Sequence, residues 1–236
     1  MNRTRALILA AGKGKKMQSE IPKVLLKVSG KIIVEHVINA LQIPEIEAIG
    51  LVINPDNFFE IKDVTQNSVN YIFQENPKGT GHAVMCAKEW LADFDGNVII
   101  VVGDAPFITQ HIMSELIKEH KSSNNVCTLL SAIWQNPPAY GRIIRDSKGK
   151  LVKIVEQRDA TAAQRLIKEV STMHYIFKSR DLFQALSQIN NYNAQGEYYL
   201  PDVVGVMIAE NKNVAVLRVD DHNLTRSINT LEELNE

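Results

Sequence analysis

The run Val98-Ile99-Ile100-Val101-Val102 constrains the fold more than any other stretch of this chain. It is short, β-branched and has no polar break. A strand with one face in water alternates apolar and polar residues, whereas an unbroken run belongs to a strand covered on both faces. Such strands sit in parallel sheets with helices packed on either side. Other strand-like runs lie at Ala6 to Ala10, Ala48 to Ile53 and Val69 to Phe73, with Asn54-Pro55-Asp56 punctuating the second. Helical spacing recurs between them, near Ile32 to Leu41, Gly81 to Leu91 and Ile108 to His120. This alternation predicts an α/β fold, Rossmann-like, with a mixed, mostly parallel sheet flanked by helices.

The second half has a different texture. Arg142 to Arg145 and Leu151 to Val155 read as short strands joined by the hairpin turn Asp146-Ser147-Lys148-Gly149-Lys150. Val170 to Phe177 and Val214 to Val219 read as strands. Arg180 to Gln188, Tyr198 to Glu210 and Thr230 to Leu234 read as helices. There is no linker, repeat or low-complexity tract, so one domain is expected over residues 1–236.

The first strand runs into Leu9-Ala10-Ala11-Gly12-Lys13-Gly14-Lys15-Lys16-Met17, with Pro22-Lys23 beyond. Glycines leaving a strand let backbone N–H groups approach a bound anion, and the lysines add positive charge. The plainer reading is a solvated basic turn. Neither common phosphate motif is present: there is no G-x-x-x-x-G-K-[ST], and no third glycine completes G-x-G-x-x-G. Open α/β sheets bind ligands outside the carboxyl ends of their strands, which is where this loop falls. Gly103-Asp104-Ala105-Pro106 falls there too, at the end of the Val98–Val102 run.

The net charge of −1 makes a nucleic acid or an anionic membrane surface no default partner. The two cysteines, Cys86 and Cys127, lie in apolar segments without the spacing of a zinc or redox site. No apolar stretch is long enough to cross a bilayer and none resembles a leader, so a cytoplasmic location is expected.

Asp104 is the best single candidate for a metal ligand, since a carboxylate beside a basic loop suits Mg²⁺ and phosphate; capping the next helix is the alternative. Gln74 ends the third strand-like run, and Gly79-Thr80-Gly81-His82-Ala83 opens a helix. A uracil edge needs one donor and two acceptors recognised, which an amide and free helix N–H groups can provide. Simple capping explains Gly79 and Thr80 equally well, and His82 reads as a packed residue. Glu156, and the polar stretch Asn193-Ala194-Gln195-Gly196-Glu197-Tyr198-Tyr199, either face sugar hydroxyls or lie on the surface.

Taken in order, these motifs resemble the sugar nucleotidyltransferases, and within them the uridylyltransferase (pyrophosphorylase) domain of bacterial N-acetylglucosamine-1-phosphate uridylyltransferases. The resemblance rests on Leu9 to Gly14, Pro22-Lys23-Val24-Leu25, Gln74, Gly79 to Ala83, Gly103-Asp104, Tyr140-Gly141-Arg142-Ile143, Val155-Glu156-Gln157, Asn193 to Tyr199 and Asn229. It implies the nucleotide-diphospho-sugar transferase fold, with a nucleotide-binding half over about 1–110 and a sugar-binding half over about 111–236. It implies UTP and a sugar 1-phosphate as substrates and Mg²⁺ as cofactor. Leu9, Ala10, Ala11, Gly12, Gly14, Gln74, Gly79 and Thr80 would hold the nucleotide. Lys16 and Lys23 would neutralise phosphate, and Asp104 and Asn229 would hold the metal. Gly141, Glu156, Ser171 and Tyr199 would line the sugar site.

Three positions depart from the family pattern. Lys16 stands where an arginine is usual and loses the bidentate fork. Ser171-Thr172-Met173 stands where Asn-Thr-Gly is usual, which leaves the sugar open. Pro201 replaces a threonine or similar residue. The acetyltransferase domain of the bifunctional members is absent from these residues, so a standalone transferase or a piece of a longer chain is expected, as a monomer or weak homodimer. The rival readings are a transferase using another nucleotide or acceptor, such as a cytidylyltransferase, and a nucleotide-sugar sensor that retains the pocket without turnover.

Overall fold

A computed structural model describes residues 3–12, 21–66 and 68–235. In chain order its elements are β1 (Thr4–Leu9), β2 (Lys27–Val28), β3 (Lys31–Ile32), α1 (Ile33–Leu41), β4 (Ala48–Ile53), α2 (Phe58–Thr65), β5 (Asn70–Phe73), α3 (Thr80–Cys86), β6 (Asn97–Val102) and α4 (Gln110–Ser122). There follow β7 (Cys127–Ile133), β8 (Arg142–Arg145), β9 (Leu151–Val155), α5 (Ala162–Arg165), β10 (Glu169–Lys178), α6 (Ser179–Leu186), α7 (Leu200–Ala209), β11 (Val214–Val219) and α8 (Leu231–Asn235). Among the described residues, no helix is long and apolar enough to cross a membrane.

One sheet runs through both halves of the chain in the order β11-β7-β10-β6-β1-β4-β5, with β8 bonded to β10 and β9 to β8. Strand β1 is parallel to both β4 and β6, and β4 to β5. Strand β10 reverses the direction, lying antiparallel to β6 and β7, while β11 is parallel to β7. The sheet is therefore mixed, and its uninterrupted parallel part is the nucleotide-type half.

The unbroken apolar strands are covered on both faces, as their composition requires. Leu7, Val98, Ile100, Tyr175 and Phe177 join one core, with residues of α3, α6 and α7. Ala6, Ile8, Ile99, Val101 and Ile176 join the other, with α1 and α4. Val98, Ile99, Ile100 and Val101 are fully buried. Each such side chain stabilises the fold by about 1.5–3 kcal/mol relative to exposure. A charge at Ile100 would break both packing and pairing.

Five elements lie outside the sequence expectation, the short β2, β3 and α5 together with β7 and α2. Strand β7 is hidden by its polar residues: Thr128 and Ser131 are fully buried, yet Thr128 bonds to His120 (3.1 Å) and Ser131 to Glu169 (2.8 Å). Helix α2 carries exposed Phe59 beside buried Ile61 and gives no clean apolar stripe. The helix expected over Gly81 to Leu91 ends at Cys86. Beyond it the backbone tightens, with i to i−3 bonds such as Phe94 N–H to Leu91 C=O (3.1 Å), so that Leu91 and Phe94 both reach the core.

Strand β10 contains a register shift. Ser171 pairs with Ser131 and Tyr175 with Leu129, so four residues of β10 advance while β7 advances two. Met173 sits in this bulge with φ of +60°. A side chain there costs about 1–2 kcal/mol relative to glycine, and glycine is what the family resemblance expects at this position.

Candidate active site

The carboxyl ends of β1, β4, β5 and β6 form one edge, and antiparallel β10 enters the sheet from the same edge. The loop after β1 is tied down on both sides: Ala10 N–H donates to Val52 C=O, and Gly103 N–H to Leu9 C=O, both at 2.8 Å. A Cβ on Gly103 would stand 3.0 Å from Ala10 Cβ, so glycine brings the turn carrying Asp104 against the loop. Ala10 and Ala11 are buried, while among the described residues nothing lies within 4 Å of where a Cβ on Gly12 would stand. Gly14 and Lys16 lie outside the described residues.

The chain then reaches Lys23, in a single 3-10 turn spanning Lys23–Leu25. Its ammonium is paired with Oδ2 of Asp104 and lies 3.2 Å from Oδ1 of Asn229. Three sequence-predicted residues from distant segments thus converge on one point at the sheet edge. Oδ1 of Asp104 is buried and has no hydrogen-bond partner among the described residues. A half-filled carboxylate beside an amide oxygen suits a hard divalent cation, which takes oxygen ligands and keeps positions for phosphate and water. No group of three or more His, Cys, Asp or Glu side chains is placed to hold a metal among the described residues. Mg²⁺ needs no full cage of protein ligands when phosphates and water supply the remaining ones.

Gln74 and Gly79 form a second cluster. Gln74 is buried, and its Nε2 donates to Gly79 C=O (3.3 Å) and lies 2.8 Å from His82 Nδ1. Gly79 has φ of +100°, and a Cβ there would fall 2.5 Å from Tyr198 C=O. The hydroxyl oxygen of Thr80 accepts from Leu200 N–H (3.0 Å), at the start of α7. These residues stitch the head of α3 to the segment leading into α7. Pro201 sits in the first turn of α7, where its missing N–H has no helical partner to lose.

The sugar-side residues form a third cluster. Ser171 N–H donates to Gly141 C=O (2.8 Å), and a Cβ on Gly141 would come within 3.3 Å of Glu156 Oε1. Burial, followed by the charges of Asp202 and Asp159, pushes the Glu156 carboxyl up to about 7. Tyr199 is buried, accepts from Gln195 Nε2 (2.9 Å), and is pushed up to about 12, first by burial. The Ser171 hydroxyl is turned inward: it is 2.8 Å from the Tyr175 hydroxyl, which in turn donates to Met173 Sδ (3.5 Å). Asn193 organises the loop before Tyr199, its Oδ1 accepting from Gln195 and Glu197 N–H, both at 3.2 Å.

Sequence reasoning passed over His174 and Glu233. His174 is fully buried, its Nε2 has no partner among the described residues, and burial holds it neutral with its value at about 4, against the pull of Asp104. Glu233 accepts from Asn229 and Thr230 N–H at 2.5 and 3.2 Å. The spacing Thr230-x-x-Glu233 is the capping-box signature that could have revealed it.

Comparison with known proteins agrees with this layout. The family described as Nucleotidyl transferase matches residues 5–222. The chain belongs to that family. Among its relatives, the nucleotidyl transferase is 42% identical to the bifunctional protein GlmU of Staphylococcus haemolyticus, over 95% of this chain and 49% of the relative. It is 42% identical to that of Limosilactobacillus reuteri (97% and 50%) and 40% identical to that of Acetivibrio thermocellus (98% and 50%). This nucleotidyl transferase chain therefore spans about half the length of the curated relatives it matches.

Proposed function

We propose that the chain is a Mg²⁺-dependent uridylyltransferase that joins UTP to a sugar 1-phosphate, N-acetylglucosamine 1-phosphate first, and releases pyrophosphate. The observation that carries this reading is the meeting of Lys23, Asp104 and Asn229 beside the β1 loop. A lysine ammonium and an open carboxylate oxygen at the carboxyl edge of an α/β sheet are what a triphosphate site needs.

In the reaction, an oxygen of the sugar 1-phosphate attacks the α-phosphorus of UTP, and the bond from that phosphorus to the bridging oxygen breaks. The electron pair leaves with pyrophosphate. The chain's part is alignment and charge neutralisation rather than a covalent intermediate. Backbone at Ala10, Ala11 and Gly12, with Gln74, Gly79 and Thr80, holds the nucleotide. Lys23 neutralises phosphate charge. Gly141, Glu156 and Tyr199 line the acceptor side, with the backbone of Ser171 beside them. Mg²⁺ bound at Asp104 and Asn229 would supply charge stabilisation for the phosphates. The two halves act within one domain, in the cytoplasm.

The test is pyrophosphate release across UTP, CTP, dTTP and GTP, each with the 1-phosphates of N-acetylglucosamine, glucose, galactose and N-acetylgalactosamine. The expected result is highest turnover with UTP and N-acetylglucosamine 1-phosphate, lost by about 10²–10³-fold or more in Asp104→Ala with the fold retained. A preference for CTP would make the chain a cytidylyltransferase. Tight UDP-sugar binding without turnover on any acceptor would make it a sensor.

A further inference from the structure

Asn229 lies on a segment with no strand or helix of its own, between a 3-10 turn (His222–Thr225) and α8. Its backbone is nevertheless fastened at every step. Ser227 N–H donates to the Tyr140 hydroxyl at 2.8 Å, and Ile228 N–H to the Asp104 carbonyl at 2.9 Å. Asn229 and Thr230 N–H both donate to Glu233 Oε2. A solvated loop can leave such donors to water. Here four successive donors find fixed acceptors, and three of those four bonds go to side chains.

Both side-chain acceptors are themselves held. The Tyr140 carbonyl and the Pro138 carbonyl accept from buried Arg142, the latter at 3.0 Å. The Tyr140 ring meets Trp134 edge-on, with centroids 6.3 Å apart. Burial, then the charges of Asp104 and Glu233 against the bond to Ser227, raises the phenol above its ordinary value and keeps it protonated. Glu233 is fixed at the start of α8 by its own N–H to Thr230 Oγ1, at 3.2 Å.

We propose that Tyr140 and Glu233 are positioning residues for the cation site, holding the segment that carries Asn229 so that its Oδ1 faces the Asp104 carboxylate. The inference rests on the reading of Asp104 and Asn229 as the metal pair. The Ser227 and Asn229 donors flank the Ile228 bond to Asp104, so losing the Tyr140 or the Glu233 acceptor frees the segment on one side of that bond and loosens the placement of Asn229. Mg²⁺ tolerates little displacement of its ligands. Loss of an outer partner of a metal ligand typically lowers affinity about 10–100-fold.

The experiment measures binding of Mn²⁺, the paramagnetic stand-in for Mg²⁺, by electron paramagnetic resonance on the whole chain. Parent, Tyr140→Phe, Glu233→Ala, Glu233→Gln and Asp104→Asn are compared, each with its melting temperature and its metal-free UTP affinity. Tyr140→Phe and Glu233→Ala are expected to bind Mn²⁺ about tenfold more weakly, with UTP affinity unchanged. Glu233→Gln keeps an acceptor oxygen and is expected to stay near the parent. Parent-like Mn²⁺ affinity in Tyr140→Phe and Glu233→Ala, with loss in Asp104→Asn, overturns the positioning role alone. Parent-like affinity in Asp104→Asn overturns the metal pair and this inference with it. Should Tyr140→Phe fail to fold, the contrast between the two Glu233 variants decides.

Discussion

Lys23 and Asp104, 81 residues apart in sequence, form an ion pair in which the ammonium takes one carboxylate oxygen and the other stays buried without a partner among the described residues. The same ammonium touches Asn229. Lysine thus takes one oxygen from each of the two residues proposed for a divalent cation, Oδ2 of Asp104 and Oδ1 of Asn229, and the two cations compete for them unless phosphate draws the lysine away. Lys23→Met should strengthen metal binding in the absence of nucleotide by about tenfold, as like-charge repulsion near the surface is removed. It should also slow pyrophosphate release by about 10²-fold or more, through loss of phosphate neutralisation. Calorimetric Mg²⁺ titration and a turnover assay check the two halves. Unchanged metal affinity would show that Lys23 and the cation do not share these oxygens.

Much of this arrangement is legible in the sequence, and the part that is not has a common cause. Strands β4, β8, β9 and β11 carry their signal locally, in runs of apolar residues bounded by turns, and their limits coincide with the expected ones. Strand β7 does not, because Thr128 and Ser131 are buried only by virtue of partners elsewhere in the chain, His120 and Glu169. The site divides in the same way. Lys23 and Asp104 stand in short motifs next to glycine or proline. Tyr140 matters through an N–H 87 residues away, and no local pattern announces a bond of that span. The inward turn of Ser171 depends on Tyr175, whose direction is set by a bulge that the sequence does not mark.

That inward turn leads to a prediction for the sugar side. If the Ser171 hydroxyl serves Tyr175 rather than the acceptor, Ser171→Ala should cost about 1 kcal/mol of stability and leave the KM for the sugar 1-phosphate unchanged. Ser171→Asn, which restores the residue of the family pattern, places a larger polar group at a position only 1% exposed. It should cost about 1–3 kcal/mol through overpacking. Urea unfolding and acceptor kinetics on both variants check this. A severalfold rise in KM for Ser171→Ala would mean that the hydroxyl reaches the sugar.

Met173 gives a prediction about the order of two substitutions. In a strand, glycine is normally worse than alanine by about 0.5–1 kcal/mol. At φ of +60° the preference reverses, because alanine keeps the Cβ that makes this conformation costly. Both variants lose the same packing of the methionine side chain against the core. Met173→Gly should therefore be at least as stable as Met173→Ala, by up to about 1 kcal/mol. Alanine more stable than glycine in chemical denaturation would count against the left-handed conformation.

Glu156 ties stability to pH. Its carboxyl stands at about 7 in the fold, against an ordinary value of 4.5, chiefly because burial penalises the charge. Between these values the folded state holds a proton that the unfolded state has released. Parent stability therefore falls as pH rises from 4.5 to about 7, and the loss is complete above that. Glu156→Gln has no such proton, so its stability relative to the parent should climb across this window and level off near pH 8. The climb should reach at most about 3 kcal/mol, reduced by the group's partial exposure. Activity should move the other way, since the carboxylate proposed to face the sugar is gone, a trade expected where a destabilising group serves function. Unfolding curves from pH 4 to 8, with acceptor KM at pH 8, separate the two effects. A stability difference that does not vary with pH would mean that Glu156 titrates as an ordinary surface carboxylate.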